Sequence, residues 1–195
     1  MSVEYRLAPE HPLPIAYEES WSAVQWAISG SNGEEWLKKY VDFDRVFFGG
    51  ESAGGNIAHN MAIRGGISGV KIEGLVLVHP LFTGVEPVGN EVVSLNNVQA
   101  GELINPEKDL NLSRLGCNRV LVCVAGEDLL RDRGRLYYEK LGESGWNGVK
   151  EFMESPGEGH AFHLADPSCL NARILMNRVV SFLNNAPGSD SYLAA

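Results

Sequence analysis

The 195-residue sequence has few cysteines, no excess of basic residues and no long apolar run. Its three cysteines, Cys117, Cys123 and Cys169, form an odd and widely spaced set, which excludes a disulfide framework and a zinc-binding cysteine pattern. We therefore expect buried free thiols in a reducing compartment. The formal net charge of -9 excludes the basic face that nucleic-acid binding requires, so we expect no nucleic-acid partner.

Segments that direct a chain into or across a membrane are also missing from this sequence. No apolar run approaches the ~20 residues of a membrane-spanning helix. Residues 1–6 lack the basic start and the apolar middle of a signal peptide. We therefore expect a cytoplasmic location and no membrane partner. We expect no cofactor and no metal, and the sequence leaves the oligomeric state open.

Apolar patterning predicts strands that alternate with helices along the whole chain. The predicted strands cover 2–7, 45–50, 72–79, 118–126 and 149–153. The predicted helices cover 15–29, 34–40, 54–64, 132–142 and 168–185, with Gly65-Gly66 ending the third helix and Ser168 as the N-cap of the last. Because the strands are continuous apolar runs, they predict an α/β fold with a mostly parallel, doubly wound sheet of about five strands.

The chain shows no internal repeat and no linker that would divide it into two domains. We expect a single α/β domain over residues 1–185 and a disordered tail over residues 186–195. Periodicity is lost between residues 81 and 113, where prolines, glycines and asparagines interrupt the pattern. An irregular segment of this length inside a compact domain is typical of a lid or of a shortened cap.

The stretch Gly50-Glu51-Ser52-Ala53-Gly54 fits the pattern Gly-x-Ser-x-Gly. An apolar run precedes it and a helical pattern follows it, so the serine is predicted on a sharp strand-to-helix turn. Such a turn exposes the serine hydroxyl, and the glycines allow close approach of the flanking backbones. Ser52 is therefore a candidate nucleophile, and the backbone amide of Ala53 is a candidate oxyanion-hole donor.

Two further residues with useful chemistry follow predicted strands. Asp128 comes two residues after the fourth predicted strand, and His160 lies in a glycine-rich turn after the fifth. Functional groups in parallel sheets collect at the carboxyl ends of the strands. We therefore predict that Ser52 attacks an acyl carbon, that His160 transfers the proton, and that Asp128 fixes and stabilises the imidazole.

Other residues compete for these roles or have simpler explanations. Asp132, Asp109 and Asp166 are alternative acids, and His163 is an alternative base. We expect ordinary core or loop roles for His11, His59 and His79, and a structural role for Glu51. The basic residues Arg131, Arg133 and Arg135 form either a solvated helix face or an anchor for the loop that carries Asp128.

Five segments together resemble the plant carboxylesterases of the hormone-sensitive-lipase-like branch of α/β-hydrolases, which also contains the gibberellin receptors. The segments are Tyr5-Arg6-Leu7-Ala8-Pro9-Glu10-His11-Pro12, residues 50–59, Val78-His79-Pro80, residues 128–134 and Gly159-His160-Ala161-Phe162-His163. The resemblance implies an α/β-hydrolase fold, a triad of Ser52, Asp128 and His160, and small carboxylic esters as substrates. One small departure is Glu51, where the family usually has aspartate.

Two larger departures concern parts of the family that this sequence does not contain. Its three Gly-Gly pairs do not follow a histidine, so the His-Gly-Gly loop that supplies oxyanion donors in the family is missing. The segment 81–113 is shorter than the family's cap. The family's strand between the first two predicted strands is missing as well, so these two either pair directly or leave an apolar edge unpaired. We expect impaired activity, because loss of one oxyanion donor lowers kcat by about 10²–10³.

The resemblance leaves four functional hypotheses. The first is a carboxylesterase that acts through a Ser-His-Asp acyl-enzyme mechanism, and the second is a catalytically inactive fragment or paralogue. The third is a gibberellin-receptor-like binding module, which the retained His160 and the missing lid argue against. The fourth is a dehydratase or transesterase, since relatives on this scaffold use the same triad.

Overall fold

A computed structural model describes residues 1–29, 34–84, 86–89, 105–106 and 109–184. The helices are α1 (Ile15–Ile28), α2 (Glu35–Tyr40), α3 (Ala53–Ser68), α4 (Arg131–Glu143), α5 (Phe162–Ala165) and α6 (Leu170–Asn184). The strands are β1 (Phe47–Glu51), β2 (Ile72–Val78), β3 (Cys117–Ala125) and β4 (Val149–Ser155), and a short 3-10 helix covers Leu112–Arg114.

The four strands form one parallel sheet in the order β1-β2-β3-β4. Alternate residues of the two central strands pack against opposite layers. Leu75 and Val122 belong to a core cluster with α3 and α4, whereas Val76 and Leu121 belong to a second cluster with α5 and α6. Both faces of β2 and β3 are therefore buried, which explains their continuous apolar runs. The predicted parallel, doubly wound α/β fold is confirmed.

The prediction of a fifth strand over residues 2–7 is wrong. Among the described residues the sheet has four strands, and residues 1–7 have no regular structure. This segment turns instead toward α1, where Arg6 forms an ion pair with Glu19 and Tyr5 packs against a cluster around Tyr17. Neighbouring strands must lie about 4.8 Å apart to pair. Here a cavity of about 560 Å³ lies between residues 1–5 and β1, so direct pairing does not form.

Because of the cavity, β1 is an apolar sheet edge. Of the two expected outcomes, direct pairing or an unpaired apolar edge, the structure has the unpaired edge. Its lining includes Phe47 and Phe48 of β1 together with residues of α1, α2 and the N-terminal segment. The residues of β1 are only partly buried or exposed, in contrast to those of the central strands. Strand β1 also carries Ser52 at its carboxyl end, so the residues just before this serine border an exposed apolar surface.

Helix α3 is longer than predicted, because Gly65-Gly66 does not end it. The helix continues to Ser68 and ends at Gly69, which has the left-handed conformation with φ +73°. A Cβ at position 66 would lie 2.0 Å from the carbonyl oxygen of Arg114. The Gly-Gly pair therefore allows close packing of the segment that leads into β3, and it does not act as a terminator.

The start of the last helix also differs from the prediction. Helix α6 begins at Leu170, and the Ser168 hydroxyl donates a hydrogen bond to Asp166 Oδ1 at 2.6 Å instead of capping the helix. The cap is supplied by Cys169, whose Sγ accepts a hydrogen bond from the Ala172 amide at 3.3 Å. Ser168 is a turn residue because the Asp166 side chain competes for its hydroxyl. Helix α5, between β4 and α6, was not predicted.

Two expectations lie largely outside the described residues. Most of the segment 81–113 and all of the tail 186–195 belong to the parts of the chain that are not described. In the described ranges, no helix has both the length and the apolar character that a membrane span requires.

The thiols of Cys117 and Cys123 are free and buried, as predicted, and burial raises the pKa of each to about 12. Cys169 is free and partly buried.

Candidate active site

Ser52 lies on the turn between β1 and α3 with φ 53° and ψ -120°, a strained conformation for a residue with a side chain. Two backbone hydrogen bonds hold the turn against the neighbouring strand. The Ser52 amide donates to the Val78 carbonyl at 2.9 Å, and the Ser52 carbonyl accepts from the Leu81 amide at 2.9 Å. The strain is therefore maintained by the carboxyl end of β2, and the geometry agrees with the predicted strand-to-helix turn.

The two glycines of the motif have different roles. A Cβ at Gly50 would lie 2.1 Å from the carbonyl oxygen of Gly54, a distance that no real Cβ tolerates. A Cβ at Gly54 would meet no atom within 4 Å. Position 50 therefore has to be glycine because the backbone of the next turn crosses it, whereas position 54 contributes only its backbone to this contact.

This difference predicts that Gly50→Ala destabilises the chain much more than Gly54→Ala. Forcing a methyl group into backbone atoms should lower the free energy of unfolding by about 3 kcal/mol or more. The matched change Gly54→Ala should alter it by less than about 1 kcal/mol. Urea unfolding of both variants measures the difference. Equal destabilisation would contradict the proposed close crossing at position 50.

Ser52, His160 and Asp128 form a continuous chain of contacts. The Ser52 Oγ lies 3.1 Å from Nε2 of His160, and Nδ1 of His160 lies 2.7 Å from Oδ2 of Asp128. The other carboxylate oxygen, Oδ1, accepts a hydrogen bond from the Leu130 amide at 2.9 Å. The Asp128 side chain is 3% exposed and that of His160 is 39% exposed. The arrangement runs from a buried acid, through an imidazole, to an accessible hydroxyl.

Backbone hydrogen bonds join the loop of Asp128 to the loop of His160. The Gly126 amide donates to Ser155 at 2.9 Å, and the Glu127 amide donates to Glu158 at 2.8 Å. The Arg131 guanidinium donates to the Gly126 carbonyl at 2.8 Å and braces the same loop. The carboxyl ends of β3 and β4 therefore position the acid and the imidazole together.

The alternative acids lie in other contacts. Asp132 accepts a hydrogen bond from Arg131, Asp109 Oδ2 lies 3.8 Å from the buried His59, and Asp166 bonds Ser168. Each of these three carboxylates therefore has a nearby partner other than His160. Asp128 is the one of the four predicted candidates whose carboxylate contacts His160.

Two of the three basic residues of α4 fit the two predicted roles. Arg131 anchors the Asp128 loop, and Arg135 pairs with Glu154 at the surface. Arg133 is only 3% exposed and donates a hydrogen bond to the Glu86 carbonyl. A solvated face is therefore wrong for Arg133. Its side chain reaches inward to the segment after β2 because the backbone carbonyl there needs a donor.

A second polar cluster lies behind His160 and consists of Glu51, His79 and His163. Glu51 Oε1 lies 3.7 Å from His79 Nδ1 and 3.7 Å from His163 Nε2. The His163 ring therefore faces Glu51, whereas the His160 ring contacts Ser52. The sequence assigned ordinary roles to Glu51 and His79 separately, and it contains no motif that joins the three.

His79 links this cluster to the turn that carries His160. The Ala161 amide donates a hydrogen bond to His79 Nδ1 at 3.3 Å, and the His79 side chain is fully buried. The pKa of His79 is lowered to about 4, mainly by burial; the Asp128 carboxylate opposes this shift, and the nearby His163 and His160 contribute to it. His79 is therefore neutral near pH 7.

Ala53 is the first residue of α3, directly after Ser52, and it is exposed. The amides at the start of a helix have no partner within the helix, and the helix dipole favours negative charge there. The position suits a donor to an oxyanion next to Ser52. That role remains a prediction from the motif.

The fold agrees with comparisons to known proteins. Residues 1–108 and 96–164 match a family model described as alpha/beta hydrolase fold, and the chain belongs to this family. Its relatives include several plant carboxylesterases, so the predicted resemblance is confirmed. The chain is 42% identical over 208 residues to probable carboxylesterase 4, mitochondrial, from Arabidopsis thaliana, which covers 94% of the chain and 56% of the relative.

Two other relatives have different names. The chain is 42% identical to 2-hydroxyisoflavanone dehydratase from Glycyrrhiza echinata, over 94% of the chain and 65% of that protein. It is 41% identical to tuliposide A-converting enzyme 1, chloroplastic, from Tulipa gesneriana, over 94% of the chain and 52% of that protein. The chain thus spans roughly half to two thirds of the length of these relatives.

Solved esterase structures share the fold. The thermostable carboxylesterase EstE1, cloned from a metagenomic library, is 28% identical with a TM-score of 0.71 over 92% of the chain and 66% of that structure. The Pyrobaculum calidifontis esterase is 25% identical with a TM-score of 0.76 over 92% of the chain and 63% of that structure. The predicted fold class is confirmed by both.

Proposed function

We propose that the chain is a serine carboxylesterase that hydrolyses small carboxylic esters through an acyl-enzyme. The observation that carries this proposal is the chain of contacts from Ser52 Oγ through His160 to the buried Asp128 carboxylate. An unactivated serine is a weak nucleophile at neutral pH and needs an adjacent base to react. His160 is that base, and the exposed side of its ring gives an ester access to the hydroxyl.

In the proposed reaction, His160 takes the proton from Ser52 as Oγ attacks the ester carbonyl. The Asp128 carboxylate holds the proton-bearing Nδ1 of the ring and stabilises the imidazolium that forms. The Ala53 amide donates to the developing oxyanion. His160 then protonates the departing alcohol, and a water molecule activated by the same imidazole releases the acid.

The rate of this reaction depends on how many donors face the oxyanion. The Ala53 amide is the donor that the motif supplies, and the sequence has no His-Gly-Gly loop. Loss of one donor lowers kcat by about 10²–10³ in a well-studied protease. We therefore propose slow turnover. An inactive chain with the same triad remains the alternative to slow turnover.

Hydrolysis of 4-nitrophenyl acetate tests this proposal. The purified chain should release nitrophenol faster than Ser52→Ala at equal concentration, with both proteins shown to be folded by circular dichroism. Ser52→Ala removes only the hydroxyl and leaves the alanine at the strained position. Equal rates for the two proteins would refute esterase activity in this chain.

A lyase reaction is the second candidate, because one relative of 42% identity is named 2-hydroxyisoflavanone dehydratase. The same imidazole that deprotonates Ser52 is also placed to remove a proton from a bound substrate. Incubation with a 2-hydroxyisoflavanone distinguishes the two reactions. Formation of the dehydrated product without ester hydrolysis would favour the lyase.

The remaining proposals concern organisation and location. We propose one domain over residues 1–185, in which residues 81–113 form a shortened cap, and a cytoplasmic location. This location differs from those in the names of two relatives, one mitochondrial and one chloroplastic. Fractionation of cells that express the tagged chain tests it.

A further inference from the structure

The cluster of Glu51, His79 and His163 has distances that do not fit hydrogen bonding. Glu51 Oε1 lies 3.7 Å from a nitrogen of each histidine, whereas a hydrogen bond between such groups spans 2.7–3.2 Å. The three residues come from three different elements. Glu51 ends β1, His79 follows β2, and His163 lies in α5.

The same distances are close to those between ligands of one metal ion. Two ligands of a tetrahedral zinc ion, each about 2.1 Å from it, lie about 3.4 Å apart. Two groups that share one bridging water lie farther apart, about 4.5 Å. The observed 3.7 Å is nearer to the metal value. The ring centroids of His79 and His163 lie 5.4 Å apart, against about 5.2 Å for two imidazoles on one zinc ion.

Burial gives an independent reason to expect a ligand. Glu51 Oε1, the atom that lies 3.7 Å from a nitrogen of each histidine, is buried and has no hydrogen-bond partner among the described residues. A buried carboxylate oxygen without a partner is unusual, because nearly all buried polar atoms are paired. The donor atoms of Glu51, His79 and His163 all lie within 4.8 Å of one another. One cation between them would satisfy the carboxylate oxygen.

We propose that Glu51, His79 and His163 form a zinc-binding site. Two imidazoles and one carboxylate are a known zinc ligand set, which leaves the fourth position for water. The side chains of Glu51 and His163 are 24% and 11% exposed, so an ion can enter from their side. This proposal does not depend on esterase activity.

Zinc at this site changes a hydrogen bond of the turn that carries His160. The ion replaces the Ala161 amide as the partner of His79 Nδ1, and Ala161 directly follows His160. A second group with similar spacing, His79, Asp128 and His160, shares His79. An ion held by that group would instead occupy the base and its acid, so an experiment has to separate the two locations.

Equilibrium dialysis of the chelator-stripped full chain against zinc chloride tests the proposal, with bound zinc measured by mass spectrometry. We expect one zinc per chain in the wild type and at least tenfold weaker binding in Glu51→Gln and His163→Gln. His11→Gln and Cys169→Ser are matched controls that change a histidine and a thiol outside the cluster, and both should retain one zinc. His160→Gln should also retain it.

Three outcomes would overturn the proposal. They are a wild type without bound zinc, full binding in both Glu51→Gln and His163→Gln, and loss of binding in His160→Gln with retention in Glu51→Gln. If the cluster variants fail to fold, cobalt substitution of the wild type decides. A tetrahedral spectrum without a thiolate band that persists in His160→Gln supports the site, and absence of that spectrum from the wild type or its loss in His160→Gln rejects it. Ser52→Ala should bind zinc normally, so failure of the metal site and failure of the esterase are separate results.

Discussion

Replacing His160 with glutamine should lower kcat/KM for an ester substrate by about 10⁴–10⁶-fold. Glutamine cannot accept the proton from Ser52, whose Oγ lies 3.1 Å from Nε2 of the imidazole. It also cannot return that proton to the departing alcohol. Initial rates at several ester concentrations measure the change, and circular dichroism verifies that the variant is folded.

His163→Gln is the matched variant, because His163 is the alternative base in the same loop region. Its Nε2 lies 3.7 Å from Glu51 Oε1, so its loss should lower kcat/KM by less than about 100-fold. The rate of His163→Gln should therefore exceed that of His160→Gln by at least about 100-fold. A larger loss in His163→Gln than in His160→Gln would contradict the assignment of His160 as the base and would favour His163.

Acidification from pH 6.5 to pH 4 should destabilise the chain by about 3 kcal/mol through His79 alone. Burial lowers the pKa of this histidine to about 4, so the native state keeps it neutral across this range. In the unfolded chain the His79 imidazole is protonated as the pH falls below about 6.5, so unfolding takes up a proton between pH 6.5 and pH 4. The stability from His79 is thus fully present above pH 6.5 and is lost as pH falls toward 4.

Urea unfolding from pH 4 to pH 7.5, with a chelator present, measures this loss in the wild type and in His79→Asn. Asparagine tolerates the positive φ of 45° at this position, and its Oδ1 can replace Nδ1 as the acceptor for the Ala161 amide. The variant should show a shallower loss of stability on acidification, since it has no imidazole to protonate. Parallel curves for the two proteins would mean that His79 titrates normally in the fold.

The sequence predicted the centre of the fold correctly because both faces of the central strands are buried. Residues 74–78 and 120–125 are continuous runs without a polar side chain, which is the pattern that a doubly covered parallel strand requires. The turn at Ser52 was predictable for a similar reason. Only glycine fits at position 50, so the close backbone crossing appears directly in the motif.

Other features depend on contacts between distant residues and left no local pattern. The segment 2–7 has a strand-like composition, but a strand needs a partner, and a cavity lies between this segment and β1. The Gly65-Gly66 pair resembles a helix end, whereas its real partner is the backbone at Arg114. Glu51, His79 and His163 meet because the ends of β1 and β2 and helix α5 converge at one edge of the sheet.

Labelling with a fluorophosphonate probe, followed by peptide mass spectrometry, tests the central claim most directly. The probe reacts with a serine only when a neighbouring base activates it, and it does not require fast turnover or a known substrate. The folded wild type should carry one adduct on Ser52, and His160→Gln should carry at least tenfold less. A folded wild type without an adduct on Ser52, or with equal labelling of the two proteins, would contradict the assignment of Ser52, His160 and Asp128 as a working triad.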